Sequence, residues 1–269
     1  MDLPFAKKSL GQHWLEDDQS LEAMLEAAEL HDADVVLEIG SGPGALTKKL
    51  VRHAKQVIAV ELDQDLATDL PARVASANLH VIQQDILQFD LTSLPKGYKV
   101  IANIPYYVTN KLLRTLCESV NPFSRAVILV QKEVAERVCA EPGAMSILSV
   151  SVQFYCSVSL GKIIPANLFV PPPKVDSRIL KLTFRPHPLF EDVDTKQFFR
   201  LVRIGFAQRR KTLLNAMSSG LRIDRVQTQT LLERAGIAPG DRAQSLSLDD
   251  WYRLYKASMT EKRIQYLTC

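Results

Sequence analysis

The chain has 269 residues, of which 46% are hydrophobic and 23% are charged, which is the balance of an ordinary globular protein. A transmembrane helix is excluded because no run of about 18 apolar residues occurs, and the N-terminus lacks the apolar stretch of a secretory signal. The four cysteines and five histidines have no metal-binding spacing. We therefore expect a cytoplasmic protein without a metal site, and nothing in the sequence calls for more than a monomer.

The stretch from residue 35 to 132 alternates between short apolar runs rich in Val and Ile and stretches with helical spacing. The apolar runs predict strands at 35–39, 57–62, 79–83, 99–104 and 126–130. Helical spacing predicts helices at 21–28, 44–53, 64–76, 109–119, 132–140 and 145–156. This alternation is typical of an α/β protein with a Rossmann-like, doubly wound parallel sheet and helices on both faces.

The segment 157–185 departs from that alternation. Two apolar runs, S-V-S-L-G-K-I-I and S-R-I-L-K-L-T-F, predict strands. Three consecutive prolines lie between them and exclude a central strand or a helix interior there. The prolines therefore predict a stiff extended loop, and the flanking strands are close enough in sequence to form an antiparallel pair at the edge of the sheet.

A domain boundary is predicted at R-P-H-P, residues 185–188, because the pattern after it is entirely helical. The helices are predicted at 195–210, 211–219, 227–235 and 247–262. We therefore predict a Rossmann-like domain at 1–185 and a small helical domain at 186–269.

Net charge is unevenly distributed, at −2 for residues 1–185 and +5 for residues 186–269. The basic surplus includes Arg200, Arg203, Arg209, Arg210 and Lys211. A basic helical domain indicates either a polyanionic partner such as RNA or a solvated helix face.

A glycine-rich turn follows the first predicted strand in the sequence V-V-L-E-I-G-S-G-P-G-A-L-T. Gly40, Gly42 and Gly44 let the backbone bend tightly and let a ligand approach without interference from Cβ atoms. In an open α/β sheet such a turn lies in the ligand crevice. Gly40, Gly42 and Ala45 also satisfy the dinucleotide fingerprint G-x-G-x-x-A. Glu61 is placed to bind a ribose whether the ligand is a dinucleotide or not. A nicotinamide cofactor, or plain loop geometry, therefore stays open.

Polar groups at the ends of successive strands favour S-adenosylmethionine. Glu38 directly precedes the glycines, Asp85 follows the third predicted strand, and Asn103 ends the fourth. The ribose hydroxyls and adenine amino group of S-adenosylmethionine are donors, which suit Glu61 and Asp85, and its ammonium suits acid near Gly40. A pyrophosphate would prefer bare N–H groups. The alternatives are an N-cap role for Asp85 and an orienting role for Glu38.

The sequence N-I-P-Y-Y at the end of the fourth strand suits methyl transfer to the exocyclic amine of a nucleobase. Such an amine needs acceptors that hold its N–H bonds and turn its lone pair toward the methyl group. The side chain of Asn103 and the carbonyl of Ile104 are two acceptors, Pro105 fixes the backbone beside them, and Tyr106 can stack on the base. Alternatively, Asn103 caps the next helix and the tyrosines pack, which is the preferred interpretation for Tyr107.

The combination of E-I-G-S-G-P-G and N-I-P-Y resembles the adenine-N6 methyltransferases of RNA. Over nearly its whole length the chain is similar to the ribosomal RNA dimethyladenosine transferases, the KsgA/RsmA family. K-K-S-L-G-Q at 7–12 matches the N-terminal motif of the family, and F-V-P-P-P-K-V-D-S at 169–177 matches its F-x-P-x-P-x-V-x-S loop. A small helical C-terminal domain is a family feature too, and the motifs together are highly specific.

The resemblance implies an S-adenosylmethionine-dependent 16S rRNA (adenine-N6,N6)-dimethyltransferase. Its substrate would be two adjacent adenines near the 3′ end of small-subunit rRNA, and its partner the 30S subunit or a precursor during subunit biogenesis. Implied cofactor contacts are His13, Leu15, Gly40, Glu61, Asp85 and Asn103. Implied catalytic positions are Asn103, Ile104, Pro105, Tyr106 and Phe169. Phe169 would face Tyr106 across a base taken out of its stack.

This chain departs from the family at residues 11–15, where G-Q-H-W-L replaces the usual G-Q-N-F-L. His13 thus replaces an amide that contacts the cofactor, and Trp14 replaces Phe. Because a neutral histidine still donates or accepts one hydrogen bond, we expect weaker or altered cofactor binding. The alternative is that His13 is a surface residue.

Three other functions fit parts of the pattern. An antibiotic-resistance methyltransferase of large-subunit RNA is a related class, a nicotinamide oxidoreductase shares the glycine turn, and a non-catalytic RNA-binding protein could reuse the fold. The proline loop and helical tail favour the small-subunit enzyme over the first. The polar strand ends favour the small-subunit enzyme over a nicotinamide oxidoreductase. The intact residues 103–106 favour it over a non-catalytic RNA-binding protein.

Overall fold

The structure is a computed structural model that describes residues 3–208 and 210–260. It divides into two compact units. Unit 1 comprises the chain up to Glu136 together with Cys156–Phe184, and unit 2 comprises Arg137–Tyr155 together with the described chain from Arg185 onward. None of the described helices has the length and apolar character needed to cross a lipid bilayer.

Unit 1 contains a seven-stranded sheet in the order β4-β3-β2-β5-β6-β9-β7. The strands are β2 (Val35–Ile39), β3 (Gln56–Glu61), β4 (Leu79–Gln83), β5 (Lys99–Asn103), β6 (Arg125–Gln131), β7 (Cys156–Ile164) and β9 (Ser177–Phe184). The first five in sequence pair in parallel, whereas β9 pairs antiparallel with both β6 and β7. The Rossmann-like class and the antiparallel pair at the sheet edge are thus confirmed.

Helices cover this sheet because their apolar positions recur at helical spacing. They are α1 (Asp18–Ala28), α2 (Ala45–Leu50), α3 (Gln64–Val74) and α4 (Thr109–Cys117), whereas α5 (Lys132–Val138) begins in unit 1 and ends in unit 2. In α1 the predicted stripe is buried, and Asp17 caps the helix by accepting the N–H of Ser20 at 2.8 Å. Met24 and Leu25 of that stripe pack in one cluster with Ile101 of β5 and Val127 of β6.

A second, two-stranded sheet was not predicted from the sequence. Strand β1 (Trp14–Leu15) pairs antiparallel with β8 (Phe169–Val170), so that Trp14 lies opposite Val170 and Leu15 opposite Phe169. Leu15 and Phe169 are both buried in the cluster that includes α1. This short ladder joins the N-terminal segment to the proline-rich loop.

Unit 2 is helical. It contains α6 (Ile147–Tyr155), α7 (Thr195–Phe206), α8 (Leu213–Leu221), α9 (Arg225–Arg234) and α10 (Leu248–Thr260). The single boundary predicted after residue 185 differs from this division, because α6 packs with the helices that follow it. Phe154 of α6 lies 4.9 Å, centroid to centroid, from Phe198 of α7. The predicted positions Arg209, 261 and 262 fall outside the described residues.

Gly220 is the second-to-last residue of α8. A Cβ added there would lie 2.3 Å from Cγ2 of Ile204, and a β-branched side chain in a helix has little freedom to move away.

Replacing Gly220 with alanine tests that close approach. Alanine usually favours a helix by about 1 kcal/mol over glycine, but overpacking costs about 1–3 kcal/mol. We therefore expect Gly220→Ala to lower the free energy of unfolding, measured by denaturant titration. Gly240→Ala is the control, because a Cβ there meets nothing within 4 Å. A stabilised Gly220→Ala protein would contradict the packing shown.

Candidate active site

The carboxyl ends of the parallel strands form one rim of unit 1. The register places Ile39 of β2 beside Val60 of β3 and Ala102 of β5. A cleft opens at this rim. Nine predicted site residues line it: His13, Leu15, Gly40, Glu61, Asn103, Ile104, Pro105, Tyr106 and Phe169. The tenth, Asp85, lines an adjoining cleft.

The two clefts lie next to each other along the rim and share part of their lining. The shared residues are Gln12, Gly40, Glu61, Ile104 and Pro105. The second cleft continues past them to Leu62, Asp85 and Tyr107. Together the two clefts line the rim from the glycine turn to the end of β4.

The glycine turn lines this cleft through Gly40 and Gly42. Gly40 and Gly42 have φ values of +72° and +52°, which side-chain-bearing residues rarely adopt. A Cβ on Gly40 would lie 3.3 Å from the carbonyl oxygen of Asn103, and a Cβ on Gly42 would lie 2.9 Å from Cζ3 of Trp14. Both glycines are therefore needed for close approach as well as for the turn.

Glu61 is the carboxylate at the end of β3, and it is only 6% exposed. Its two oxygens accept the backbone N–H groups of Gly42 at 3.0 Å and Asp63 at 2.9 Å. Burial raises the pKa of Glu61. Because the N–H of Gly42 is already held by a carboxylate, this turn presents fewer bare donors to a pyrophosphate, which disfavours the dinucleotide alternative.

Glu38 is fully buried, and neither of its carboxylate oxygens has a hydrogen-bond partner among the described residues. Burial, followed by the nearby charge of Glu61, raises the pKa of Glu38 to about 8. The carboxyl group is therefore protonated in the folded protein at neutral pH.

Replacing Glu38 with glutamine tests this protonation through stability. The folded state keeps a proton that the unfolded chain loses above its ordinary pKa, so wild-type stability falls as pH rises from that value to about 8. Glutamine cannot ionise. We expect the advantage of Glu38→Gln over wild type, measured by denaturant titration, to increase from about pH 5 to about pH 9.

An exposed glutamate, Glu16, provides the control as Glu16→Gln. A Glu38→Gln protein whose stability follows the same pH curve as wild type would show that the buried carboxyl does not hold its proton.

Asp85 follows β4 at the rim, and its side chain accepts the N–H of Leu87 at 2.9 Å. The N-cap role that the sequence left open is therefore present. A contact between Asp85 and a cofactor stays a prediction, although its place in the second cleft is compatible with both roles.

Asn103 does not cap the following helix. The one-turn 3-10 helix Tyr106–Val108 and α4 both begin without a side-chain cap, and the Asn103 amide forms no hydrogen bond with any residue that the structure describes. The amide instead lines the cleft. The capping alternative is wrong.

The two tyrosines have different surroundings. The hydroxyl of Tyr106 lies 2.8 Å from Oγ of Ser177, which is fully buried at the start of β9. Burial raises the pKa of Tyr106, so it stays a neutral phenol. Tyr107 is 64% exposed, and the core packing expected for it is wrong. Sequence reasoning missed Ser177, although it is the last residue of the F-V-P-P-P-K-V-D-S motif.

Hydrogen bonds and ion pairs connect the N-terminal motif K-K-S-L-G-Q to the start of α3. Lys7 Nζ lies 2.8 Å from Asp63 and 2.7 Å from Asp65. Gln12 donates to Asp63 at 2.9 Å and accepts the backbone N–H of Lys7 at 2.6 Å. No local sequence pattern predicts these pairs, which hold the motif beside Glu61.

His13 and Phe169 lie on the side of the first cleft formed by the two-stranded sheet. Nδ1 of His13 donates to the carbonyl of Pro171 at 2.7 Å, and the His13 ring lies 6.1 Å from that of Tyr106 at 22° between planes. Phe169 is 3% exposed and lines the cleft.

The residues present fit S-adenosylmethionine. Glu61 offers a buried carboxylate to ribose hydroxyls, and Gly40 and Gly42 form a cradle that a Cβ would fill. No group of His, Cys, Asp or Glu side chains that could hold a metal ion occurs within 3–208 and 210–260.

Comparisons with known proteins place the chain. A family model described as ribosomal RNA adenine dimethylase matches residues 5–259. A protein of Dehalococcoides mccartyi strain 195 named ribosomal RNA small subunit methyltransferase A is 42% identical over 253 residues, which cover 93% of this chain and 87% of that protein. A protein of the same name from Streptococcus equi subsp. zooepidemicus is 41% identical over 264 residues, covering 93% and 91%.

Two solved structures are similar as well. A dimethyladenosine transferase from Plasmodium falciparum has a TM-score of 0.79 and 29% identity, covering 90% of this chain and 96% of its own. The 23S rRNA methyltransferase ErmE has a TM-score of 0.75 and 26% identity, covering 91% and 98%. The rim, the glycine turn and the residues at 103–106 agree with these relationships, and the chain belongs to the ribosomal RNA adenine dimethylase family.

Proposed function

We propose that the protein transfers methyl groups from S-adenosylmethionine to N6 of two adjacent adenines near the 3′ end of small-subunit rRNA. The observation that carries the proposal is that Asn103, Ile104 and Tyr106 line the same cleft as Gly40 and Glu61. The target amine and the cofactor would thus meet at one rim. The relatives named small subunit methyltransferase A support the choice of RNA.

Cofactor binding is assigned to both clefts. Glu61 would accept from the ribose hydroxyls, and Asp85 would face the adenine in the second cleft. Gly40 and Leu15 would line the remainder of the site, with Asn103 at the reacting end. When bound, S-adenosylmethionine supplies an electrophilic methyl group.

The chain's own residues position the amine. The side-chain oxygen of Asn103 and the carbonyl of Ile104 accept the two N–H bonds of N6, so that the nitrogen lone pair turns toward the methyl group. Pro105 has φ of −56° and holds the backbone after Ile104. Tyr106, tied by its hydroxyl to Ser177, stacks on the base.

Unit 2 contributes positive charge for RNA. Arg203, Arg210 and Lys211 are exposed, and cationic side chains bind phosphates with an affinity that falls as salt concentration rises. Arg209, predicted to join them, lies outside the described residues. A monomeric state remains an expectation from the sequence.

Methyl transfer to isolated ribosomal subunits tests the proposal. Unmethylated small and large subunits are incubated separately with the protein and labelled S-adenosylmethionine, and the RNA is mapped by mass spectrometry. We expect two adjacent N6,N6-dimethyladenosines near the 3′ end of the small-subunit RNA. Label in the large subunit alone would instead support a function like that of ErmE, which the 26% identity makes the second candidate.

A further inference from the structure

His13 connects the two aromatic walls proposed for the target base. Its ring faces that of Tyr106 at 6.1 Å and 22°. Its Nδ1 atom lies 2.7 Å from the carbonyl oxygen of Pro171, two residues after Phe169. One side chain thus contacts both Tyr106 and the loop that carries Phe169.

The hydrogen bond fixes the tautomer of His13. A carbonyl oxygen can only accept, so Nδ1 must carry the proton and donate. The backbone on both sides of this bond is also fixed, because Trp14 pairs with Val170 in the two-stranded sheet. His13 directly precedes β1 and Pro171 directly follows β8, so the bond lies at one end of the small sheet.

Gln12 and His13 have different partners although they are adjacent. The Gln12 amide donates to Asp63, two residues after Glu61, which places it on the cofactor side of the rim. His13 contacts Pro171 and Tyr106 instead. Gln12 therefore contacts the cofactor side of the site, whereas His13 contacts the side proposed for the target base.

We infer that His13 is a positioning residue for the target adenine, which sets the spacing between the Tyr106 ring and the Phe169 loop, and is not primarily a cofactor contact. This inference rests on the proposed function. The resemblance to the family implied that His13 contacts the cofactor, and the inference gives it a different role. The usual asparagine at this position would lack the ring that faces Tyr106.

Three substitutions separate the two contacts of His13. Nδ2 of asparagine is as many bonds from Cα as Nδ1 of histidine, so His13→Asn retains a donor for Pro171 and removes the ring. His13→Phe retains a ring and removes the donor, and His13→Ala removes both. His53→Ala, at an exposed histidine of unit 1, is the control.

Each variant is measured in two ways, by steady-state methylation of unmethylated small subunits and by calorimetric binding of S-adenosylhomocysteine without RNA. For His13→Ala we expect kcat/KM for RNA to fall by about 100-fold, the size typical of a misplaced reacting group. His13→Asn and His13→Phe should fall between alanine and wild type. Affinity for S-adenosylhomocysteine should change by no more than about 2-fold, since neither Tyr106 nor Pro171 is among the residues proposed to hold the cofactor.

The inference fails if His13→Ala weakens S-adenosylhomocysteine binding as much as it lowers kcat/KM for RNA, or if it changes neither. Thermal denaturation of each variant guards against misfolding, and His13→Asn supplies a conservative replacement if alanine unfolds the loop. A wild-type protein that binds S-adenosylhomocysteine but methylates neither subunit would overturn the proposed function and the inference together. An active wild type with unaffected His13 variants would overturn the inference alone.

Discussion

Replacing Asn103 with alanine should lower kcat for methyl transfer by about 100-fold or more, the effect seen when one preorganised polar contact to a reacting group is removed. The Asn103 amide lines the cleft and forms no hydrogen bond within the part of the chain that the structure describes. Its loss should therefore leave the free energy of unfolding nearly unchanged. Activity and stability are measured on the same preparation, by methyl incorporation into small subunits and by denaturant titration.

Asn121→Ala is a matched control, because it should lower stability and leave activity unchanged. Its buried amide donates to the carbonyls of Leu91 and Leu94, each at 2.9 Å, away from the cleft. Asn121→Ala leaves two buried acceptors without their donor and should cost about 1–3 kcal/mol of stability, with kcat retained at a temperature where the variant is folded. Equal activity of Asn103→Ala and wild type would remove Asn103 from the chemistry and favour a binding function.

Gly42→Ala should weaken S-adenosylhomocysteine binding by about 10-fold or more, since each 1.4 kcal/mol lost is a factor of ten. The new Cβ would meet the Trp14 ring at 2.9 Å. Trp14 has little room to move, because its Nε1 donates to the carbonyl of Pro4 at 3.0 Å and its backbone pairs with Val170. The N–H of Gly42 also holds Glu61, so a shift of the turn would displace the carboxylate proposed to hold the ribose.

Backbone strain must be separated from this steric effect. Gly42 has φ of +52°, and a left-handed conformation by itself costs alanine about 1–2 kcal/mol of stability. Gly97 has φ of +75° but meets nothing within 4 Å at its Cβ position. Gly97→Ala should therefore lower stability while leaving cofactor affinity unchanged in calorimetry. If both variants lost affinity equally, the contact with Trp14 would not be the cause.

The parallel sheet and the chemistry at its rim can be predicted from local sequence patterns. Alternating apolar runs and helical spacing predict strands and helices because side-chain direction repeats every two residues in one and every 3.6 in the other. Once parallel strands are predicted, their carboxyl ends must lie at one edge. The sequence therefore predicts Gly40, Glu61 and Asn103 in one crevice. The resemblance to the family adds Leu15 and Phe169.

The contacts that hold the rim, and the surfaces that become covered, depend on long-range packing. The Lys7–Asp63 pair spans 56 residues and the Tyr106–Ser177 pair spans 71. The two-residue strands β1 and β8 are too short to show a period. Helix α6 has the same apolar pattern whichever unit it joins, so its packing with α7 could not be read from its own residues. Local sequence fixes direction and conformation, whereas partners far apart in the chain are chosen only when the fold brings them together.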